Sequence, residues 1–325
     1  MNALVTGVNG QLGYDIVKEL RKRGYTAIGS GSTAVPKNEE LFRAFSVEEI
    51  GESLTRPDAE AGRKGLAPSP YIGMDITDAE ATKTIITALK PDAVFHCSAW
   101  TAVDAAEDEE NRKKVYALNV VAPGNIAKAC SECGAKMIYP STDYVFDGKG
   151  SEPWRADCTD FSPVNYYGET KLWGERAVSS NTGRYFIVRI AWVFGVNGKN
   201  FIKTMINVGK THDTVRVVND QIGTPTYTPD LARLLVDMAE TDKYGVYHAT
   251  NEGGYISWYD FCVEFYRQYG LDTKVIPVST AEYGLSKAAR PYNSRLDKSK
   301  LVLNGFEPLP VWQDAVARYL READI

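Results

Sequence analysis

The sequence predicts an α/β fold, a doubly wound parallel sheet followed by a smaller α/β C-terminal domain. Three observations carry this. Short β-rich runs alternate with stretches of helical period over most of the first 250 residues. The first such run opens the chain and passes through a glycine-rich turn into an amphipathic segment. With 325 residues, 44% of them hydrophobic, the chain can bury a substantial core.

The elements follow in order. NALVT (2–6) reads as a strand, and Leu12, Ile16, Val17 and Leu20 then recur at helical spacing until Gly24 supplies a stop. TAIGS (26–30), DAVFHCSA (92–99), KMIYPST (136–142), YFIVRIAWVF (185–194) and GVYHATN (245–251) are the further strands. Strand, helix, strand in repetition means a parallel sheet covered on both faces. Residues 31–74 interpose more than a crossover helix and are rich in charge, Pro and Gly, which predicts a solvated helical excursion, with a lid or subunit contact as the other reading. After Gly223 one more helix and strand return to the sheet, whereas the chain from about Glu252 is irregular and aromatic. The expected division is 1–195 plus 224–251 for a dinucleotide-binding domain and 196–223 plus 252–325 for a substrate domain.

Composition narrows the function. A net charge of −5, with no Lys/Arg run longer than three, gives no electrostatic case for nucleic acid or an anionic membrane. MNALVTGVNG lacks a basic region before a long apolar one, and no window approaches the roughly 20 apolar residues of a membrane span. A soluble, cytoplasmic protein with a small-molecule partner is expected. Five cysteines (Cys97, Cys130, Cys133, Cys158, Cys262) suit a reducing compartment. Cys130 and Cys133 form a lone C-x-x-C with no second pair, and three scattered histidines build no site, so no metal is expected.

TGVNGQLG places Gly7, Asn9, Gly10, Gln11, Leu12 and Gly13 between strand and helix. Backbone N–H groups at a helix N-terminus reach a phosphate only where no β-carbon intervenes, so the spacing in this position predicts dinucleotide binding on a Rossmann-type sheet. An acid some twenty residues on would hold the ribose 2'-hydroxyl of NAD. Here Gly29, Ser30, Gly31 and Ser32 stand instead, with Lys37 available to a 2'-phosphate. NADPH should therefore be accepted at least as well as NADH.

STDYVFD (141–147) precedes YYGETK (166–171). Tyr167 and Lys171 are four apart and share a helix face, whereas Tyr166 faces Thr170. A phenol is a poor acid near neutrality, and a neighbouring ammonium moves its pKa toward working pH. Thr142 ends a strand, where its hydroxyl can steady charge developing on a substrate oxygen.

Glycine motif, strand-end threonine and Y-x-x-x-K in this order resemble the extended branch of the short-chain dehydrogenase/reductase superfamily. SAWTAVDAAED (98–108), STDYVFDG (141–148), RIAWVFG (189–195), VVNDQIGTPTY (217–227) and ARPYNSRLD (289–297) look, more narrowly, like the dTDP-4-dehydrorhamnose reductase family. The resemblance spans nearly the whole chain except 31–74. It implies hydride transfer from NADPH or NADH to C4 of a dTDP-linked 4-keto-6-deoxysugar by a monomer or homodimer. Thr142, Tyr167 and Lys171 would be catalytic, with Tyr167 the proton donor and Lys171 also on the nicotinamide ribose. Asp75 and Ile76, after the third strand, would meet the adenine, and Ala99 and Thr101 would lie beside the nicotinamide.

Val103, Asp104, Asp143, Tyr144, Trp192, Asn219, Gln221, Arg290 and Asn293 would join Thr142 around the sugar nucleotide, Trp192 as a flat wall for the 6-methyl group and Arg290 for the diphosphate. Asp104 and Glu107 read equally as a solvated face or as acids with a substrate or loop-ordering role. Some relatives dimerise around a metal, and Asp15 falls near one such position, but a single acid on a helix reads as exposed and solvated. Related 4,6-dehydratases carry two acids after the threonine. Asp143 and Tyr144 stand here, which favours simple reduction. Alternatives are reduction or epimerisation of another nucleotide-linked 4-ketosugar, and a non-catalytic subunit like the β subunit of methionine adenosyltransferase.

Overall fold

Strand β1 (Asn2–Thr6) is buried along nearly its whole length, so both of its faces need cover, and the chain supplies helices to each. A computed structural model describes residues 1–55, 68–323 and 325. Helix α1 (Gln11–Lys22) turns Ile16, Val17 and Leu20 wholly inward, each removal from water worth about 1.5–3 kcal/mol. The sheet continues with β2 (Thr26–Gly31), β3 (Phe42–Ala44), β4 (Ser69–Gly73), β5 (Ala93–His96), β6 (Lys136–Thr142) and β7 (Tyr185–Ile190). Short strands β8 (Val193–Phe194), β9 (Thr214–Val218), β10 (Ile222–Gly223) and β11 (Thr226–Tyr227) precede β12 (Gly245–His248).

In space the main sheet runs β12-β7-β6-β5-β1-β2-β4-β3, with each neighbouring pair parallel. The chain leaves β1 toward β2 on one side and later returns to β5 on the other. A crevice therefore opens at the carboxyl ends of β1 and β5, where such folds bind ligands. One face packs on α1 and α8 (Thr228–Ala239). The other packs on α3 (Ala79–Leu89) and α5 (Ala122–Cys133). Between α4 (Glu109–Tyr116) and α5 the helix opens into a π-turn at Ala117–Val121.

Three expectations change. The 31–74 stretch does carry a helix, α2 (Val47–Thr55), but it also adds β3 to the sheet edge, with Phe42 buried over Gly29, so Asp75 follows the fourth strand. Residues 56–67 of that stretch lie outside the described residues. The run 185–194 is not one strand, because the backbone bends after Ile190 and Trp192 takes a left-handed φ of 51°. The aromatic tail is ordered rather than irregular. Helix α9 (Trp258–Tyr269) and the helix Trp312–Glu322 pack Phe261, Phe265, Trp312 and Tyr319 against Phe194 and Ile206 of α7 (Phe201–Gly209), and Lys274–Val278 pairs in parallel with β9. No helix among the described residues is long and apolar enough to cross a membrane.

Candidate active site

The glycine turn is shaped by close approach. A β-carbon on Gly13 would lie 2.5 Å from the Gly7 carbonyl oxygen, and Gly7 itself has φ of +69°. Gly10 caps α1 without any side-chain hydrogen bond, which leaves the first N–H groups of the helix available to an anion. Asn197 and Asn200, after β8, brace this turn through the Asn9 and Gly10 carbonyls and the Gln11 side chain. Such a cradle fits a dinucleotide phosphate.

Not every predicted contact faces the crevice. Leu12 packs in the core. Ser30 is wholly buried and serves through its carbonyl, which accepts from the Gly7 and Val8 N–H groups, so its side chain is not placed to meet a ribose. Asp75 is exposed and closed on its own turn by Thr77, while Ile76 is buried with its carbonyl held by Asn125. Ala99 and Thr101 flank Trp100, whose backbone N–H and C=O are both held by Asn119 from the π-turn.

Thr142 ends β6, and α6 (Tyr166–Asn181) brings Tyr167 and Lys171 to it. The helix starts at Asn165, whose side chain accepts from the Gly168 N–H and donates to the Ala289 carbonyl. Gly168 permits the approach, since a β-carbon there would lie 2.3 Å from the Tyr144 carbonyl oxygen. The Thr142 hydroxyl donates to Asp143 Oδ1 at 3.1 Å and accepts from the Tyr144 N–H at 3.2 Å. The Tyr167 phenol lies beside the same hydroxyl. The Tyr144 ring meets the Tyr167 ring edge-on at 5.5 Å.

Lys171 departs from expectation. Its Nζ donates to the Tyr139 hydroxyl and the Pro140 carbonyl, both at 2.8 Å, because the long side chain reaches past Tyr167 to β6. Burial lowers its pKa to about 7, with Glu175 opposing. Burial raises the Tyr167 phenol well above its usual value; the nearby Thr142 hydroxyl opposes, and Lys171 is not what offsets the rise. Asp143 is buried and pushed up to about 6 by that burial, with the Ser294 and Thr142 hydroxyls pulling it down. Its Oδ2 is buried without a hydrogen-bond partner.

Across the cleft, two predicted substrate contacts hold each other. Arg290 Nη2 donates to Asp104 Oδ2 at 2.6 Å, and Asp104 also accepts from the Ala288 N–H. Arg290 Nη1 is buried with no partner. Glu107 accepts from the Tyr166 N–H, so both acids of that loop order it, and Val103, half-buried, leads into them. Trp192 is half-buried, stacks on Trp258 at 3.9 Å and lies close to Gly223. Gln221 donates to Thr280, and Asn219 is exposed.

Two assignments are overturned. Asn293 is buried and gives its N–H groups to the Lys149 and Glu152 carbonyls, so it is a brace. Asp15 is 5% exposed rather than solvated, accepts from the Thr228 hydroxyl at 2.6 Å, and is raised to about 6 by burial. Sequence reasoning missed Ser294, although it adjoins Asn293 in the same quoted motif, and Tyr139, whose hydroxyl gave no signal inside a strand pattern. No group of three or more potential metal ligands occurs among the described residues.

Comparison with known proteins identifies the family. The model of the RmlD substrate binding domain family matches residues 1–325. A spore coat polysaccharide biosynthesis protein of Bacillus subtilis is 33% identical, covering 98% of this chain and 96% of its own. A dTDP-4-dehydrorhamnose reductase of Streptomyces griseus is 36% identical, covering 96% and 91%. The crystal structure of dTDP-4-dehydrorhamnose reductase from Bacillus anthracis, solved with NADP, superposes with a TM-score of 0.82 at 33% identity over 99% of this chain and 100% of the other. The chain belongs to the RmlD family, the dTDP-4-dehydrorhamnose reductases of the extended short-chain dehydrogenase/reductase fold.

Proposed function

We propose that the protein reduces the C4 ketone of dTDP-4-dehydro-L-rhamnose to the alcohol of dTDP-L-rhamnose, using NADPH or NADH. The observation that carries this reading is the meeting of Thr142, Tyr167 and Lys171 at the carboxyl end of β6, beside the open N-terminus of α1. A reduced nicotinamide, when bound, supplies the hydride. Tyr167 donates a proton to the ketone oxygen; its raised pKa keeps the phenol protonated across the physiological range. Thr142 holds that oxygen, and Lys171 in its ammonium form has one N–H left for the nicotinamide ribose after serving Tyr139 and Pro140. Asp104 gives up Arg290 to the substrate diphosphate, and the half-buried face of Trp192 meets the 6-methyl group. Residues 1–195 with 224–251 hold the cofactor, and 196–223 with 252–325 hold the sugar nucleotide.

The test follows NADPH absorbance with dTDP-4-dehydro-L-rhamnose, using UDP- and GDP-linked 4-ketosugars as controls. Oxidation with the dTDP sugar, and a Tyr167→Phe variant that binds NADPH but loses at least about a hundredfold in kcat, is the expected result. Oxidation only with another base would transfer the reading to a different 4-ketosugar. Unchanged turnover by Tyr167→Phe would remove that residue from the chemistry.

A further inference from the structure

The Thr142 hydroxyl has one proton and two claims on it. In the structure that proton goes to Asp143 Oδ1. One lone pair of the same oxygen accepts from the Tyr144 N–H, and the Tyr167 phenol lies beside it. With Asp143 ionised that donation is fixed, and Thr142 has no donor left for a ketone. A buried carboxylate oxygen without a donor is also costly, and Asp143 Oδ2 is such an atom. The C=O oxygen of a neutral acid tolerates that position far better.

We infer that Asp143 is a positioning residue whose neutral form turns the Thr142 hydroxyl toward the substrate, so that the site reduces its ketone with Asp143 protonated. The neutral acid donates to Thr142 Oγ along the same 3.1 Å line, and the Thr142 proton is freed for the ketone oxygen, alongside that of Tyr167. The Asp143 proton is not consumed. It is taken from solvent before the chemistry and remains, because the hydride and the phenol proton account for both hydrogens added to the ketone.

The groups that face Asp143 suit this. They are the phenols of Tyr144 and Tyr167 and the hydroxyls of Thr142 and Ser294, none cationic, while Arg290 and Asp104 act on Tyr144 from across the cleft. Burial accordingly holds the carboxyl at about 6.

The inference rests on the ketone-reduction reading, and its test separates the two. The experiment compares kcat for wild type and Asp143→Asn from about pH 5 to about pH 8, with saturating NADPH and dTDP-4-dehydro-L-rhamnose. The amide donates to Thr142 at every pH. The ratio of variant to wild-type kcat should therefore climb by up to about tenfold per pH unit once wild-type Asp143 ionises. Ionisation of Lys171 is common to both proteins and cancels in the ratio. A ratio that stays constant with pH would mean a purely structural Asp143 and would overturn the inference. Infrared difference spectra of the NADP-bound proteins supply a readout without turnover: a protonated-carboxyl band near pH 5 that Asp143→Asn lacks is expected, and its absence would also overturn the inference. A wild type that shows the band yet oxidises no NADPH at any pH would instead defeat the substrate reading.

Discussion

Replacing Asp15 by Asn should stabilise the protein, by a margin that grows from about pH 4 to about pH 6 and is full above that. The carboxyl is buried beneath Thr228 and raised by that burial from 3.8 to about 6, with Thr228 and Lys18 opposing and Glu322 adding to the rise. A carboxyl with a raised pKa binds a proton in the folded protein that the unfolded chain has already released. Stability therefore falls as pH climbs from about 4 through about 6, and the cost is complete above that. A shift of about 2 pKa units corresponds to about 3 kcal/mol. At about 2.1 cal/mol/K of unfolding entropy per residue, this chain would gain about 4 °C in Tm. The asparagine keeps an oxygen for the Thr228 hydroxyl and carries no charge to desolvate. Thermal unfolding of both proteins from about pH 4 to about pH 8 reads the effect. Asp143 shifts in the same sense but is shared, so it drops out of the difference. A variant less stable than wild type above pH 6, or a gap that does not shrink toward pH 4, would refute the reasoning.

Tyr139→Phe keeps the buried ring but removes one of the two acceptors that hold Lys171 Nζ, so kcat should fall about tenfold and KM for NADPH should rise, with unchanged circular dichroism. Steady-state constants equal to wild type would show that Pro140 alone suffices. Cofactor choice is also testable: a β-carbon on Gly31 would lie 2.7 Å from the Tyr71 hydroxyl, leaving no room for an acid there to favour NADH. NADPH should match or exceed NADH in kcat/KM, and a tenfold advantage for NADH, about 1.4 kcal/mol, would contradict this.

Local chemistry was legible in the sequence, and partnership across the fold was not. The glycine turn, the end of β6 and the Tyr167–Lys171 spacing are written in neighbouring residues, and each lies where periodicity puts it. Asp15 looked exposed because Thr228, which covers it, lies 213 residues away. Lys171 was matched to Tyr167 by helical register, yet its acceptors come from a strand some thirty residues earlier. Phe42 gave no strand signal amid charged and Pro-rich sequence because an edge strand of three residues is specified by the sheet it joins. Asn293 and Ser294 are adjacent and equally polar, and only the fold decides that one braces a loop while the other lies beside Asp143.

The two bonds that Lys171 makes inside the protein bear on its speed as well as its shape. A free lysine side chain carries about 2 kcal/mol of rotamer entropy, which a flexible site would lose again at every turnover. Here Tyr139 and Pro140 fix the nitrogen during folding, and tetrahedral geometry then sets the direction of its remaining N–H. The group is aimed before any cofactor arrives, so exchanging oxidised for reduced cofactor requires no search by this side chain.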